Sequence, residues 1–398
     1  MFEAKNPLSA TTTTALTTDI TSNTCTKDDL NTSLSLGKAS ESLQDEASAT
    51  ANPNPNPYLT SAAIVPDFNG DGKADKVWVN SATGETQVWL MDGSTVTETG
   101  SLGTYDVSSW TYNIADFNAD GKTDFLLHNK TTGENVVALM DGTKVASSAS
   151  LENVDPALTS SIGDFNGDRK TDILWHNTQT GENTIWEMDG STVTSSTALD
   201  NSDPAFTPTI VDFDGNGKSD IFLRNATTGE NKVWFMDGAQ ASPFDLQSQD
   251  AAWNATLGDF NGDFKTDILW RNETTGENKV WTMNGVLVNE GALATLDSNW
   301  ESNIGDFNGD GKTDVLWHNK QTGENTAWLM DGTTVSSEAV LAQSNPSSVA
   351  SIGDYNGDGK SDVFWRNYET GDNTIWTMDG TNATETPTDA LSKEWYTR

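Results

Sequence analysis

Residues 306–319 read "DFNGDGKTDVLWHN". Asp306, Asn308, Asp310 and Asp314 put three carboxylates and an amide oxygen into nine residues, and an apolar run follows at once. Like charges this close repel, so the phrase needs a reason to exist. It also recurs, beginning at Asp67, Asp116, Asp164, Asp212, Asp259, Asp306 and Asp354, seven times at steps of 47 to 49 residues. A repeat of this period overrides chain length as a guide to domain count, because each unit is one supersecondary element that packs on its neighbours.

A longer sentence surrounds each copy, as in "SIGDFNGDRKTDILWHNTQTGENTIWEMDG" at 161–190. Every Met but the first falls in one column (Met91, Met140, Met188, Met236, Met283, Met330, Met378), followed by Asp-Gly or, at Asn284, Asn-Gly. All 15 Trp fall in three columns. Each unit reads as four short strands: 302–307, "DVLWHN", "NTAWLM" after the turn "KQTGE", and a fourth around 334–339 after an Asp-Gly pair suited to a type I′ hairpin. In the second strand Val315 and Trp317 point one way and Leu316 the other, so both faces of the sheet need cover. Seven such sheets cover one another when arranged radially, which predicts an all-β, seven-bladed β-propeller of four-stranded antiparallel blades. The apolar runs are too short for a helical solenoid; a linear β-solenoid is the alternative.

The chain of 398 residues carries 59 acidic against 22 basic side chains, net charge −37. That balance argues against nucleic acid or an anionic membrane as partner and favours multivalent cations. The one cysteine, Cys25, excludes a disulfide framework, and no apolar run reaches membrane-spanning length. Residues 1–57, rich in Thr, Ser and Asn and ending in "NPNPNP", read as a disordered low-complexity leader, with the propeller over 58–398. The opening residues lack the basic start and apolar stretch of a secretory signal.

Side-chain oxygens at loop positions 1, 3, 5 and 9, with a backbone carbonyl at 7, form the alternation that wraps a hard cation. Position 1 is Asp67, Asp116, Asp164, Asp212, Asp259, Asp306 or Asp354, and position 3 is Asn69, Asn118, Asn166, Asp214, Asn261, Asn308 or Asn356. Position 5 is Asp71, Asp120, Asp168, Asn216, Asp263, Asp310 or Asp358, and position 9 is Asp75, Asp124, Asp172, Asp220, Asp267, Asp314 or Asp362. About seven calcium ions are therefore expected, one per loop, and relief of carboxylate repulsion is their reason. Lys stands at position 7 in every copy, so three Asp, one calcium and one Lys would sum to zero. An EF-hand is excluded because position 12 is apolar, as at Trp317 or Leu127, where that loop needs a bidentate Glu. Magnesium holds its waters too tightly to be the better candidate.

The repeated phrase resembles the FG-GAP or VCBS-type repeat and is similar to the calcium-bearing blades of integrin α-subunit propellers and of certain seven-bladed fungal lectins. The resemblance implies a seven-bladed propeller with calcium in the hairpin joining the first two strands of each blade. The "FG…GAP" phrase itself is absent, so no integrin ligand residue carries over.

The opposite face gathers two columns of candidate ligand-binding residues. One is Trp110, Trp253 and Trp300, six residues before their loops; the other closes the second strand with His128, His176, Arg224, Arg271, His318 and Arg366. Aromatic plates beside polar donors would suit a sugar ring; the alternative reading is a set of seals between blades. No residue stands out as a catalytic nucleophile or free acid–base pair. The expected function is a noncatalytic, calcium-binding interaction or adhesion module, extracellular or on a cell surface, monomeric, with a glycan or protein ligand and without nucleic acid or membrane insertion. The alternative is a calcium-stabilised lectin with glycan sites between blades; a hydrolase or lyase using the central channel is the third reading. Two further expectations concern details. Residues 394–398 should dock beside Ser61 to Val65 and supply the Trp that blade one lacks. Position 6 should need positive φ, so that the loops carrying Arg169 and Phe264 there bind last.

Overall fold

The computed structural model describes residues 65–397; the expected leader lies outside the described residues. Twenty-eight strands form seven four-stranded antiparallel sheets. Blade two shows the plan, with strands Trp110–Ala115, Asp124–Asn129, Asn135–Asp141 and Lys144–Leu151 joined in sequence order. Blades three to seven repeat it. First strands of neighbouring blades meet at the centre, where Asn113 Nδ2 donates to Ser160 Oγ at 2.6 Å.

The core lies in the gaps between blades. Val315, Trp317, Trp328 and Met330 of blade six pack on Phe260, Leu269 and Val280 of blade five. On the other face of the same blade, Leu316 joins Phe307 against Val363, Trp365, Trp376 and Met378 of blade seven. The second strand is accordingly buried along its whole length, Asp314–Asn319. In six blades the Met fills the gap beside the Trp of its own strand, and in blade two Met140 stands beside Ala138; burying one such side chain contributes roughly 1.5–3 kcal/mol. The seventh gap, where Tyr355, Phe364 and Ile375 meet Trp78, Trp89 and Met91, closes the ring. Among the described residues no helix is long and apolar enough to cross a membrane.

Blade one takes its first strand from two separate segments, one on each side of the six following blades. Trp395–Thr397 pairs with Lys76–Asn80 in the register Trp395↔Asn80, Tyr396↔Val79 and Thr397↔Trp78. Trp110↔Asn129 and its successors in blade two follow the same register. Nearer the loop, the Asp75 amide donates to the Pro66 carbonyl at 2.5 Å, so Val65–Pro66 occupy the remainder of that slot. The expected docking is corrected in one respect. The C-terminal residues lie in line with Val65, where a single strand slot is divided between them, and not beside it; 61–64 lie outside the described residues.

Candidate metal centre

Each acidic loop is built around the carboxylate at position 1. Asp306 Oδ1 accepts the amides of Gly309 and Asp310 at 2.7 and 3.1 Å, and its Oδ2 accepts Gly311 at 2.8 Å. The fully buried Asp314, at position 9, accepts Phe307 N–H on Oδ2 and Met330 N–H on Oδ1, tying the loop to the third strand. The Met column and the Asp column are thus two ends of one hydrogen bond in every blade.

The loops also hold one another. The amide at position 8 donates to the position 1 carbonyl of the preceding loop, from Thr123 to Asp67 round to Ala74 to Asp354, at 2.7–3.2 Å in all seven. The turn glycine of each blade donates to the position 2 carbonyl of the preceding loop, as Gly142 does to Phe68 at 2.8 Å. Two closed circuits of hydrogen bonds therefore run round this face.

The lysines are committed elsewhere than expected. In six blades the position 7 ammonium pairs with the turn Asp nineteen residues on: Lys73 with Asp92, Lys122 with Asp141, Lys170 with Asp189, Lys218 with Asp237, Lys312 with Asp331 and Lys360 with Asp379. The neutral sum of three Asp, one cation and one Lys is corrected accordingly, because the lysine neutralises the turn. Blade five is the exception. Asn284 replaces the turn Asp, and Lys265 Nζ lies 3.2 Å from Asp263 Oδ2, inside the loop.

Position 6 has positive φ in every loop, including Arg169 at 69° and Phe264 at 66°. A third strained residue went unnoticed in the sequence: Ala119, φ 60°, at position 4, where the other six loops have Gly. The missing glycine was the available signal.

Burial governs the electrostatics. It pushes Asp75, Asp220, Asp267 and Asp314 up to about 8, and Asp124, Asp172 and Asp362 up to about 7. Backbone hydrogen bonds oppose the rise, and neighbouring loop Asp carboxylates add to it. At position 1 Asp212 and Asp259 rise to about 6 for the same first reason. A cation beside such carboxylates favours their ionised form.

The donor set fits a hard divalent ion. It is all oxygen, and in the fourth loop carboxylate oxygens of Asp212, Asp214 and Asp220 lie within 4.8 Å of one another. In the fifth loop Asn261 Oδ1 is buried without a hydrogen-bond partner, whereas the corresponding Asn69 accepts the Asp71 amide. Swapping Asp and Asn between positions 3 and 5 does change the arrangement. Asp214 joins positions 1 and 9, while Asp71 in the first loop caps the Lys73 amide at 2.9 Å and takes the Asn69 amide group at 3.1 Å.

On the opposite face the expected ligand column is turned inward. Asn135 Nδ2 donates to the Gly133 and Glu152 carbonyls, so its Oδ1 faces His128 and Nδ1 of that ring carries the proton, at 2.7 Å. His176 and His318 meet Asn183 and Asn325 in the same way. Arg224, Arg271 and Arg366 donate from Nη1 to Asn231, Asn278 and Asn373. The column demands a donor, which His and Arg both supply. Blade one drops both members together, having Val79 and Thr86. The guanidiniums go on to backbone carbonyls of the next connection and stack over the next blade's Trp: Arg224 on Trp270 at 4.6 Å, Arg271 on Trp317 at 5.0 Å, Arg366 on Trp78 at 5.1 Å. Trp110, Trp253 and Trp300 are half-buried, the last two packed against the cores of blades five and six.

A family profile described as FG-GAP-like repeat matches residues 67–127, 164–223, 212–270, 259–317 and 306–365. The chain belongs to the FG-GAP-like repeat family. No curated protein matches the sequence. Among solved structures it is similar to an Agrocybe aegerita lectin that recognises non-reducing terminal N-acetylglucosamine, with TM-score 0.68 and 14% identity over 85% of this chain and 98% of that one. It is also similar to a catalytically inactive virginiamycin B lyase from Staphylococcus aureus, with TM-score 0.45 and 12% identity over 72% of this chain and 87% of that one. At such identity the lectin likeness shows the propeller fold.

Proposed function

We propose that this FG-GAP-like repeat propeller is a noncatalytic interaction module of the cell surface or extracellular space, kept rigid by calcium in its seven acidic loops. The observation that carries the reading is the all-oxygen loop repeated round one face, with carboxylates at positions 1 and 9 that burial and mutual repulsion hold above their ordinary pKa. Positions 1, 3, 5 and 9 would hold the ion, and bound calcium would supply the positive charge that the backbone amides only partly replace. The residues themselves bind, orient and couple the loops through the two hydrogen-bond circuits. Native mass spectrometry of the full chain in calcium and after chelation tests this. About seven ions per chain is the expected result, and none would refute it.

A second reading, a lectin with glycan sites between blades, draws on the half-exposed Trp110, Trp253 and Trp300 as stacking plates and on the likeness to the Agrocybe lectin. Its polar contacts would have to come from side chains other than the buried His128, His176, His318, Arg271 and Arg366. A glycan array run with calcium and again after chelation separates the two. Calcium-dependent capture of one glycan class favours the lectin, and silence with seven ions bound favours a protein ligand.

A further inference from the structure

Blade five departs from the other six at three linked points. Its turn residue is Asn284 in place of Asp, its lysine lies on a loop carboxylate, and its position 3 amide oxygen, Asn261 Oδ1, is buried and unpartnered. A lysine has one positive charge and a flexible stem, so it pairs with whichever carboxylate is near enough. Elsewhere the turn Asp holds it. Asn284 carries no charge and cannot, which leaves Asp263 Oδ2 at 3.2 Å as the ammonium's partner.

We infer that the turn residue sets the cation affinity of its own loop: an Asp there draws the position 7 lysine off the ligand carboxylates, and Asn284 leaves Lys265 as a tethered rival to the metal at Asp263. The inference rests on the calcium reading above and goes beyond it, since it assigns a specificity role to a residue that would not touch the ion. It is also separate from the strain at Phe264, which acts through the backbone. Both Lys265 and Asp263 keep contact with solvent, so the rivalry has the scale of a partly exposed ion pair, roughly a two- to fivefold change in affinity.

Calcium chloride titrated into the isotopically labelled full chain, followed at the amides of Gly262 and of Gly309 in the next loop, reads the two sites separately. The wild-type fifth loop is expected to fill after the sixth. Asn284→Asp should bring it forward by that factor, and Lys265→Met should do the same. Together the two should gain little over Lys265→Met alone, because the turn acid would have no lysine left to withdraw. Conversely, Asp331→Asn should delay the sixth loop by freeing Lys312. If the other loops fill while Asn284→Asp and Lys265→Met both leave the fifth unmoved, this inference fails and the calcium reading stands. If no loop takes calcium, both fail.

Discussion

The two faces of the propeller bury opposite charges and settle them by different means. On the face away from the loops, Arg366 is fully buried, yet its Nη atoms reach the carbonyls of Gly371, Leu391, Ser392 and Trp395 at 2.6, 3.1, 2.8 and 3.0 Å. One delocalised cation with several fixed donors can be met at its Nη atoms by backbone oxygens and one side-chain amide, Asn373, while Nε stays unpartnered. On the loop face, Asp306 and Asp314 between them accept five backbone amides and still face each other and Asp310. Amide dipoles soften repulsion among carboxylates but add no net positive charge. On one face the buried charge meets opposing dipoles supplied by the chain; on the other, under the calcium reading, the neutralising charge would come from solution.

The largest expected effect follows from that contrast. In chelator the melting temperature should fall by roughly 10 °C or more relative to millimolar calcium, since even two or three sites filled at a hundredfold excess over Kd contribute about 2.7 kcal/mol each. Differential scanning calorimetry at matched ionic strength measures it. An unchanged melting point would mean that the loop circuits suffice without metal and that the two faces do not differ in kind.

Next in size is the cation face, where the loss should be independent of calcium. Arg366→Met strands the four carbonyls and loosens the closing strand at Trp395, which should cost about 3–5 kcal/mol by urea unfolding in calcium and in chelator alike. Removing residues 394–398 should act through the same contacts, by emptying half of the first-strand slot of blade one. Arg224→Met should cost less, because Arg224 is only half-buried. If the Arg366→Met loss appeared only with calcium present, the faces would be coupled and not independent.

Much of this was legible in the sequence because the repeat supplies seven readings of every position. The period and the Asp and Met columns led to the seven blades, and alternation in "DVLWHN" foretold that Val315 and Leu316 would enter different gaps. Two things were not legible. Alternation says which side of a sheet a residue takes but not what stands across the gap, so His128 and Arg366 read as surface donors when their partners are Asn135 and Asn373 of the same sheet and carbonyls beyond it. The Lys312–Asp331 pair, nineteen residues apart, depends on the loop and the turn rising side by side, which spacing alone does not state. The exchange to Asn284 was visible, but its meaning lay in Lys265.

Smaller effects test the loop face blade by blade. Ala119→Gly, Arg169→Gly and Phe264→Gly each relieve a left-handed residue, at some cost from the freer unfolded chain, and should stabilise by about 0.5–1 kcal/mol. Urea melts at fixed calcium would detect it. Arg169→Gly and Phe264→Gly should also tighten their own loops. No gain in any of the three would show that these loops carry their positive φ without strain.

The smallest effect belongs to the cation face and tests whether it is sealed. Burial holds the His128 pKa below its ordinary value, although hydrogen bonds with Asn135, at Nδ1–H, and with the Leu158 backbone oppose the shift. The folded protein therefore binds fewer protons at this site than the unfolded chain. Stability from a neutral buried histidine is complete above the unfolded pKa of about 6.5 and is lost as pH falls below it, at no more than about 1.4 kcal/mol per pH unit. His128→Gln keeps an N–H for Asn135 and removes the titration. With saturating calcium, which keeps the loop carboxylates ionised in both proteins, the stability of wild type relative to His128→Gln should shrink between pH 7.5 and pH 5.5. A constant difference would mean that His128 takes up its proton without penalty, as a residue open to solvent or to a ligand would, and the column would have to be read again as a binding surface.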